Sequence, residues 1–136
     1  MTVVWVMLVV WAMLVAWAMQ TVSELRAACQ QFAGSAETFP FGLDTLVLKV
    51  GGRMYALLGL TQSPLTLSLK CDPLRAEQLR GQHPEIVPGH HLSKRHWNTL
   101  TLAGSLPDLL VSELLAYSYT LVVSGLTRAQ RAELGG

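Results

Sequence analysis

The chain has 136 residues, of which 51% are hydrophobic and only 14% charged, with a net charge of +1. That length suits one domain with a real core. Near-neutrality excludes a global field drawing the protein to nucleic acid or acidic lipid, so any such binding must rest on a local patch.

The chain opens with "VVWVMLVVWAMLVAWAM", residues 3–19, a run of seventeen apolar residues. As a helix it would span roughly 26 Å, just short of a typical hydrocarbon core. A membrane anchor is one reading, and a signal peptide, with "AWA" at 16–18, is another. Neither has the flanking Lys or Arg it needs. Trp5, Trp11 and Trp17 instead mark a six-residue repeat, whose step of about 240° would scatter them around a helix. The preferred expectation is a non-functional extension or over-extended start over 1–19, ahead of a domain at 20–136. A packed structural element is the remaining alternative.

From Thr21 the signals alternate. Thr21 and Glu24 form a capping box for a helix carrying Leu25, Ala28, Cys29 and Phe32, which Gly34 closes. In "TLVLKVGGRMYALLGL" two β-rich runs flank Gly51-Gly52, predicting a hairpin with Val50 opposite Arg53 and Leu48 opposite Tyr55. "PLTLSLK" alternates, with Leu65, Leu67 and Leu69 on one face, and predicts a strand. Asp72 and Pro73 start a second helix. "WNTLTL", 97–102, reads as another strand, and Ser105 with Asp108 as the cap of a long helix. That helix carries Leu109, Leu110, Leu114, Tyr117 and Leu121 and ends at Gly125, before a short tail, "TRAQRAEL". The expected fold class is α+β in two layers, an antiparallel sheet with helices on its apolar face.

Several stretches, "FPFG" at 39–42, "LVLKVGGRMYALL" at 46–58, "CDP" at 71–73, "PGHHLSKRHWNTLTLAGSLPD" and "SYTLVVSGL", resemble the MmcQ/YjbR-like family from about Val22 to Leu134. The resemblance implies a small cytoplasmic bacterial protein with α-β3-α-β2-α order, a secretion-chaperone-like fold, and the DNA-binding label the family usually carries.

The residues offer local support for that label. No Asp or Glu lies between Ile86 and Pro107, whereas Lys94 and Arg95 supply positive charge and His90, His91 and His96 add more as pH falls. Lys94 and Arg95 can neutralise phosphates, Trp97 can stack on a base, and Asn98 can bond a base edge. Lys49, Arg53 and Lys70 extend the patch if their strands face the same way.

Other chemistries have weaker signals. His83, His90, His91 and His96 fall within fourteen residues but match no closed zinc spacing, so no metal or other cofactor is expected. Cys29 and Cys71 lack C-x-x-C spacing and read as a reduced intracellular pair. A Cys71–His96 pair near a helix N-terminus would have a lowered thiol pKa, yet a small buried cysteine is the commoner outcome. No nucleophile elbow or phosphate loop is present. The chain is therefore expected to be non-enzymatic and cytoplasmic, with weak nucleic-acid binding leading. The alternative is a protein-interaction or chaperone-like module, with a homodimer left open. A structural role for "KRHWNT" is a further expectation: Arg95 pairs Asp72 or Asp108 while Trp97 fills the space beneath.

Overall fold

The computed structural model describes residues 18–89 and 92–135, so the hexad repeat up to residue 17, together with His90 and His91, lies outside the described residues. In chain order the elements are α1 (Val22–Gln30), β1 (Ala36–Thr38), β2 (Thr45–Val50), β3 (Arg53–Gly59) and β4 (Leu65–Lys70). They continue with α2 (Pro73–Gln82), β5 (Ile86–Pro88), β6 (Trp97–Leu102), α3 (Asp108–Ser124) and α4 (Arg128–Gly135). The α+β class holds, with one correction to the order. Four strands, not three, precede α2, because the three residues of β1 pair along β2.

The six strands form one antiparallel sheet in the order β1-β2-β3-β4-β6-β5. Alternation sorts its faces. Leu46, Leu48, Ala56, Leu58, Leu67, Leu69, Leu100 and Leu102 share one face and join the core with Leu25 and Cys29 of α1 and Ala76 and Leu79 of α2. Each fully buried Leu of this kind contributes about 1.5–3 kcal/mol relative to exposure. Among the described residues the core helices lie on this face; on the other, Thr45, Leu57, Thr66, Ser68, Lys70 and Thr101 are partly exposed, while Val47, Trp97 and Thr99 are buried.

Helix starts follow local chemistry. The Thr21–Glu24 capping box forms, with Glu24 N–H donating to Thr21 Oγ1 and Thr21 N–H to Glu24 Oε1. Asp72 caps α2 through Leu74 N–H, with Pro73 at its first position. Thr127 and Gln130 cap α4 reciprocally. Two boundaries differ from the sequence expectation. α1 ends at Gln30, before Gly34, which turns at φ 72°. α3 begins at Asp108 without a side-chain cap, because the Asp108 carboxylate accepts from Met19 N–H and Gln20 Nε2 instead.

The hairpin and α3 meet in one arrangement that reasoning from the sequence missed. Gly51 and Gly52 take φ 58° and 80°, as a two-residue hairpin turn of this twist requires, and Val50 faces Arg53. Leu48, however, faces Ala56: the register shifts, and Tyr55 is the extra residue of a bulge. Ser118 of α3 fills the opened ladder. Lys70 N–H donates to its hydroxyl at 2.9 Å, and the hydroxyl donates to Tyr55 C=O at 2.6 Å. The buried stripe of α3 accordingly runs through Val111, Leu114, Leu115, Ser118 and Val122, whereas Leu109 is exposed.

Candidate nucleic-acid interface on the open sheet face

The residues opposite the core face belong to the open side. Pairing aligns Thr66 with Thr101, Ser68 with Thr99 and Lys70 with Trp97, while Leu57 and Gly59 pair with Ser68 and Thr66. On β2, Lys49 and Val47 alternate with the buried Leu46, Leu48 and Val50, and Lys49 pairs with Met54. The open face therefore has two ends. At the hairpin end lie Lys49, Lys70 and Trp97, with the Lys94–His96 turn leading directly into β6. A groove of about 810 Å³ runs along the face from Phe41, Thr45 and Gln62 at the other end, past Ser68 and Thr99, to Pro88 and Leu92 beside the basic turn.

Chain order dictates this polarity. β2 and β4 both run toward the hairpin end and finish in Lys49-Val50 and Lys70, while β6 starts there after the basic turn. Gly59 leaves the groove floor open, since a Cβ there would stand 2.5 Å from Thr66 Oγ1. Ser68 and Thr99 hydroxyls bond each other at 2.8 Å in mid-face.

The predicted site residues separate into two groups. Lys94, Arg95 and His96 are exposed, and Lys70 and Lys49 are partly so, at one end of one face. Of the other three, Trp97 shares that end but is buried, and Asn98 and Arg53 lie on the helix side. Trp97 is only 8% exposed, with Gly89 so close that a Cβ there would lie 2.7 Å from Trp97 Cβ. Its ring, as placed, offers no face for stacking. Asn98 is 2% exposed and shares the core face with Leu100 and Leu102. Arg53 points to the helix side, where its Nη1 lies 3.6 Å from where a Cβ on Gly125 would be, at the C-terminal end of α3. A cation at a helix C-terminus meets the negative end of the dipole there.

The expected Arg95 clamp is corrected: among the described residues Arg95 has no carboxylate partner. Arg80 of α2 holds the turn instead. Its Nε donates to Asn98 Oδ1 at 2.7 Å, and its Nη2 donates to the carbonyls of Lys94 and, at 3.4 Å, Trp97. Asn98 Nδ2 in turn donates to Ala76 C=O at 3.4 Å. A signal existed: Asn98 has the same strand parity as Leu100 and Leu102, and a buried amide needs a partner.

Other candidate chemistry places as follows. Cys71 and Cys29 are free and buried. Burial raises the Cys71 thiol pKa, opposite to the lowering a helix N-terminus would give, and pushes Cys29 up to about 11. Cys71 meets His96 only through backbone, its N–H donating to His96 C=O. Among the described residues no His, Cys, Asp and Glu cluster could hold a metal ion. No helix among them is long and apolar enough to cross a membrane.

An antiparallel sheet with helices on one face and, among the described residues, a partly exposed opposite face defines a two-layer α+β domain. The chain belongs to the YjbR family, whose model matches residues 30–121. It is 34% identical over 111 residues to the uncharacterized protein YjbR of Escherichia coli K12, covering 82% of this chain and 94% of that one. It is also 31% identical over 90 residues to the uncharacterized protein YbdF of Escherichia coli O157:H7, covering 66% of this chain and 74% of that one. Among solved structures, a Deinococcus radiodurans protein with the DUF419 domain is similar at 55% identity and a TM-score of 0.82, covering 86% of this chain and 89% of its own. A Pseudomonas syringae protein at 24% identity and a TM-score of 0.64 covers 74% of this chain and 97% of its own, and shares the fold.

Proposed function

We propose that this is a non-enzymatic, cytoplasmic nucleic-acid-binding domain that uses the hairpin end of its open sheet face. One observation carries the reading. Of the ten Lys and Arg residues, Arg26 and Arg75 are paired with Glu37 and Glu113, and Arg80 is held by Asn98. Of the cations with no carboxylate bonded to them among the described residues, Arg53 lies on the helix side and Arg128 and Arg131 on α4, whereas Lys49 and Lys70 lie at the hairpin end of the open face and Lys94 and Arg95 in the turn that enters it. Cations with no carboxylate partner are suited to phosphate oxygens, which position a nucleic acid without reading its sequence.

Salt dependence tests this. Four phosphate contacts predict a log–log salt slope of about −3.6 for duplex and −2.8 for single-stranded DNA, with affinity falling about a hundredfold between 50 and 200 mM salt for duplex. Lys94→Ala/Arg95→Ala is expected to halve the slope. Absence of binding to either form at low salt overturns the reading.

A second reading, a protein-interaction module, draws on the turn before β2, where Phe39, Phe41 and Leu43 are 45%, 62% and 83% exposed. Adjacent exposed apolar side chains are a feature of partner surfaces. A protein that co-purifies with the wild type, and is lost on substituting these three by Ser, would favour it over nucleic acid.

A further inference from the structure

Granting that reading, we infer that the ligand is a single-stranded nucleic acid, its phosphates at the Lys70–Lys94 end and its bases along the groove toward Phe41. Duplex recognition by base edges calls for an element that enters a major groove about 12 Å wide. Among the described residues the open face has none, because the helices lie on the opposite side. A bare sheet face that combines cations, hydroxyls and an exposed ring is how single strands are held, with bases unstacked against an aromatic side chain.

The polarity of the face fits such an occupant. From Thr66 to Lys70, β4 covers about 13 Å at roughly 3.3 Å per residue. That run carries the ligand from the cation end along the groove, past Ser68. The groove's volume of about 810 Å³ lies within the range of ligand sites, roughly 300–1,000 Å³. Thr45, Thr66 and Thr101 line it with hydroxyls that both donate and accept, which suits base edges without selecting one base. Phe41, 62% exposed and lining the same groove, is the ring that Trp97 is too buried to supply. Asp44, one residue before β2 and beside the Gly42 turn, stands at this end and disfavours phosphate there. Cations at one end and an aromatic ring with a carboxylate at the other orient the strand.

The test compares fluorescein-labelled dT12, U12 and a 12-base-pair DNA duplex at 50 mM salt, against wild type, Phe41→Ala, Phe41→Trp and Lys94→Ala/Arg95→Ala. Single strands are expected to bind at least tenfold tighter than duplex. Phe41→Ala is expected to weaken single-strand binding about 5- to 100-fold, the range for loss of one stacked base, with no change in salt slope and none in duplex binding. Phe41→Trp should keep or raise affinity. Comparison of dT12 with U12 decides between DNA and RNA as the source of the strand. Duplex binding as tight as single-strand binding, or a neutral Phe41→Ala, overturns this inference and leaves the phosphate-binding reading standing. Loss of all binding overturns both.

Discussion

Arg80 shows how one side chain on another element sets the geometry of the basic turn. Asn98 is buried on the core face, and its Oδ1 is matched by Arg80 Nε at 2.7 Å. The other end of the same guanidinium holds the Lys94 carbonyl. Removing Arg80 leaves a buried carbonyl oxygen without that donor, which costs about 1–3 kcal/mol. Arg80→Ala is therefore expected to lower urea stability by that amount and to weaken nucleic-acid binding by loosening the turn, while leaving the salt slope at the wild-type value. A reduced slope would mean that Arg80 itself meets phosphate. This residue was the least legible part of the site. Nothing local links Arg80 to Asn98, 18 residues away on another element, and hydrophobic periodicity reports which positions are buried, not which polar group answers a buried amide. The exposed cations were legible because an acid-free run needs no tertiary information to be noticed.

At the level of elements, legibility tracks how local the determining chemistry is. The capping box at Thr21, the Asp72-Pro73 start and the Leu65–Leu69 alternation are each decided within a few residues, and all form. β1 was missed because three residues on a sheet edge carry no period. The α3 stripe was read in part, with Leu114 buried and Leu110 and Tyr117 packed against the core, and its central buried position was missed because it is Ser118, a residue recruited by the bulge at Tyr55. The start of α3 was misplaced because Asp108 has a distant use. Hydrogen bonds from Gln20 and from Met19 N–H hold its carboxyl below the usual carboxylate range. An acid whose pKa is depressed on folding contributes stability above its unfolded value, and loses that contribution as pH falls through its folded value. Urea midpoints of wild type and Asp108→Asn should therefore differ at neutral pH, with wild type higher, and converge once the pH drops below the carboxylate range. A gap that persists unchanged into acid would show that charge on Asp108 contributes nothing.

For the whole molecule, the distribution of charge matters more than its sum. A net charge of +1 supplies almost no long-range attraction, yet the cations are sorted by side. Arg26 and Arg75 are neutralised on the helix side by Glu37 and Glu113, and Arg128 and Arg131 are exposed on α4. Lys49 and Lys70 lie on the open face, with Lys94 and Arg95 in the turn that leads into β6. Screening over a Debye length of about 8 Å at physiological salt confines each charge to its own neighbourhood. Two double reversals separate local from global effects. Lys94→Glu/Arg95→Glu and Arg128→Glu/Arg131→Glu each subtract two charges per site, so both move the net charge from +1 to −3. If affinity depended on the sum, the two would lose binding equally. The open face instead predicts that reversal on the turn abolishes oligonucleotide binding at 150 mM salt, whereas reversal on α4 weakens it less than threefold, about 0.65 kcal/mol at RT of 0.59 kcal/mol. Circular dichroism of both variants checks that each keeps its fold, since all four side chains are exposed. Equal losses in two folded variants would remove the open face as the binding surface.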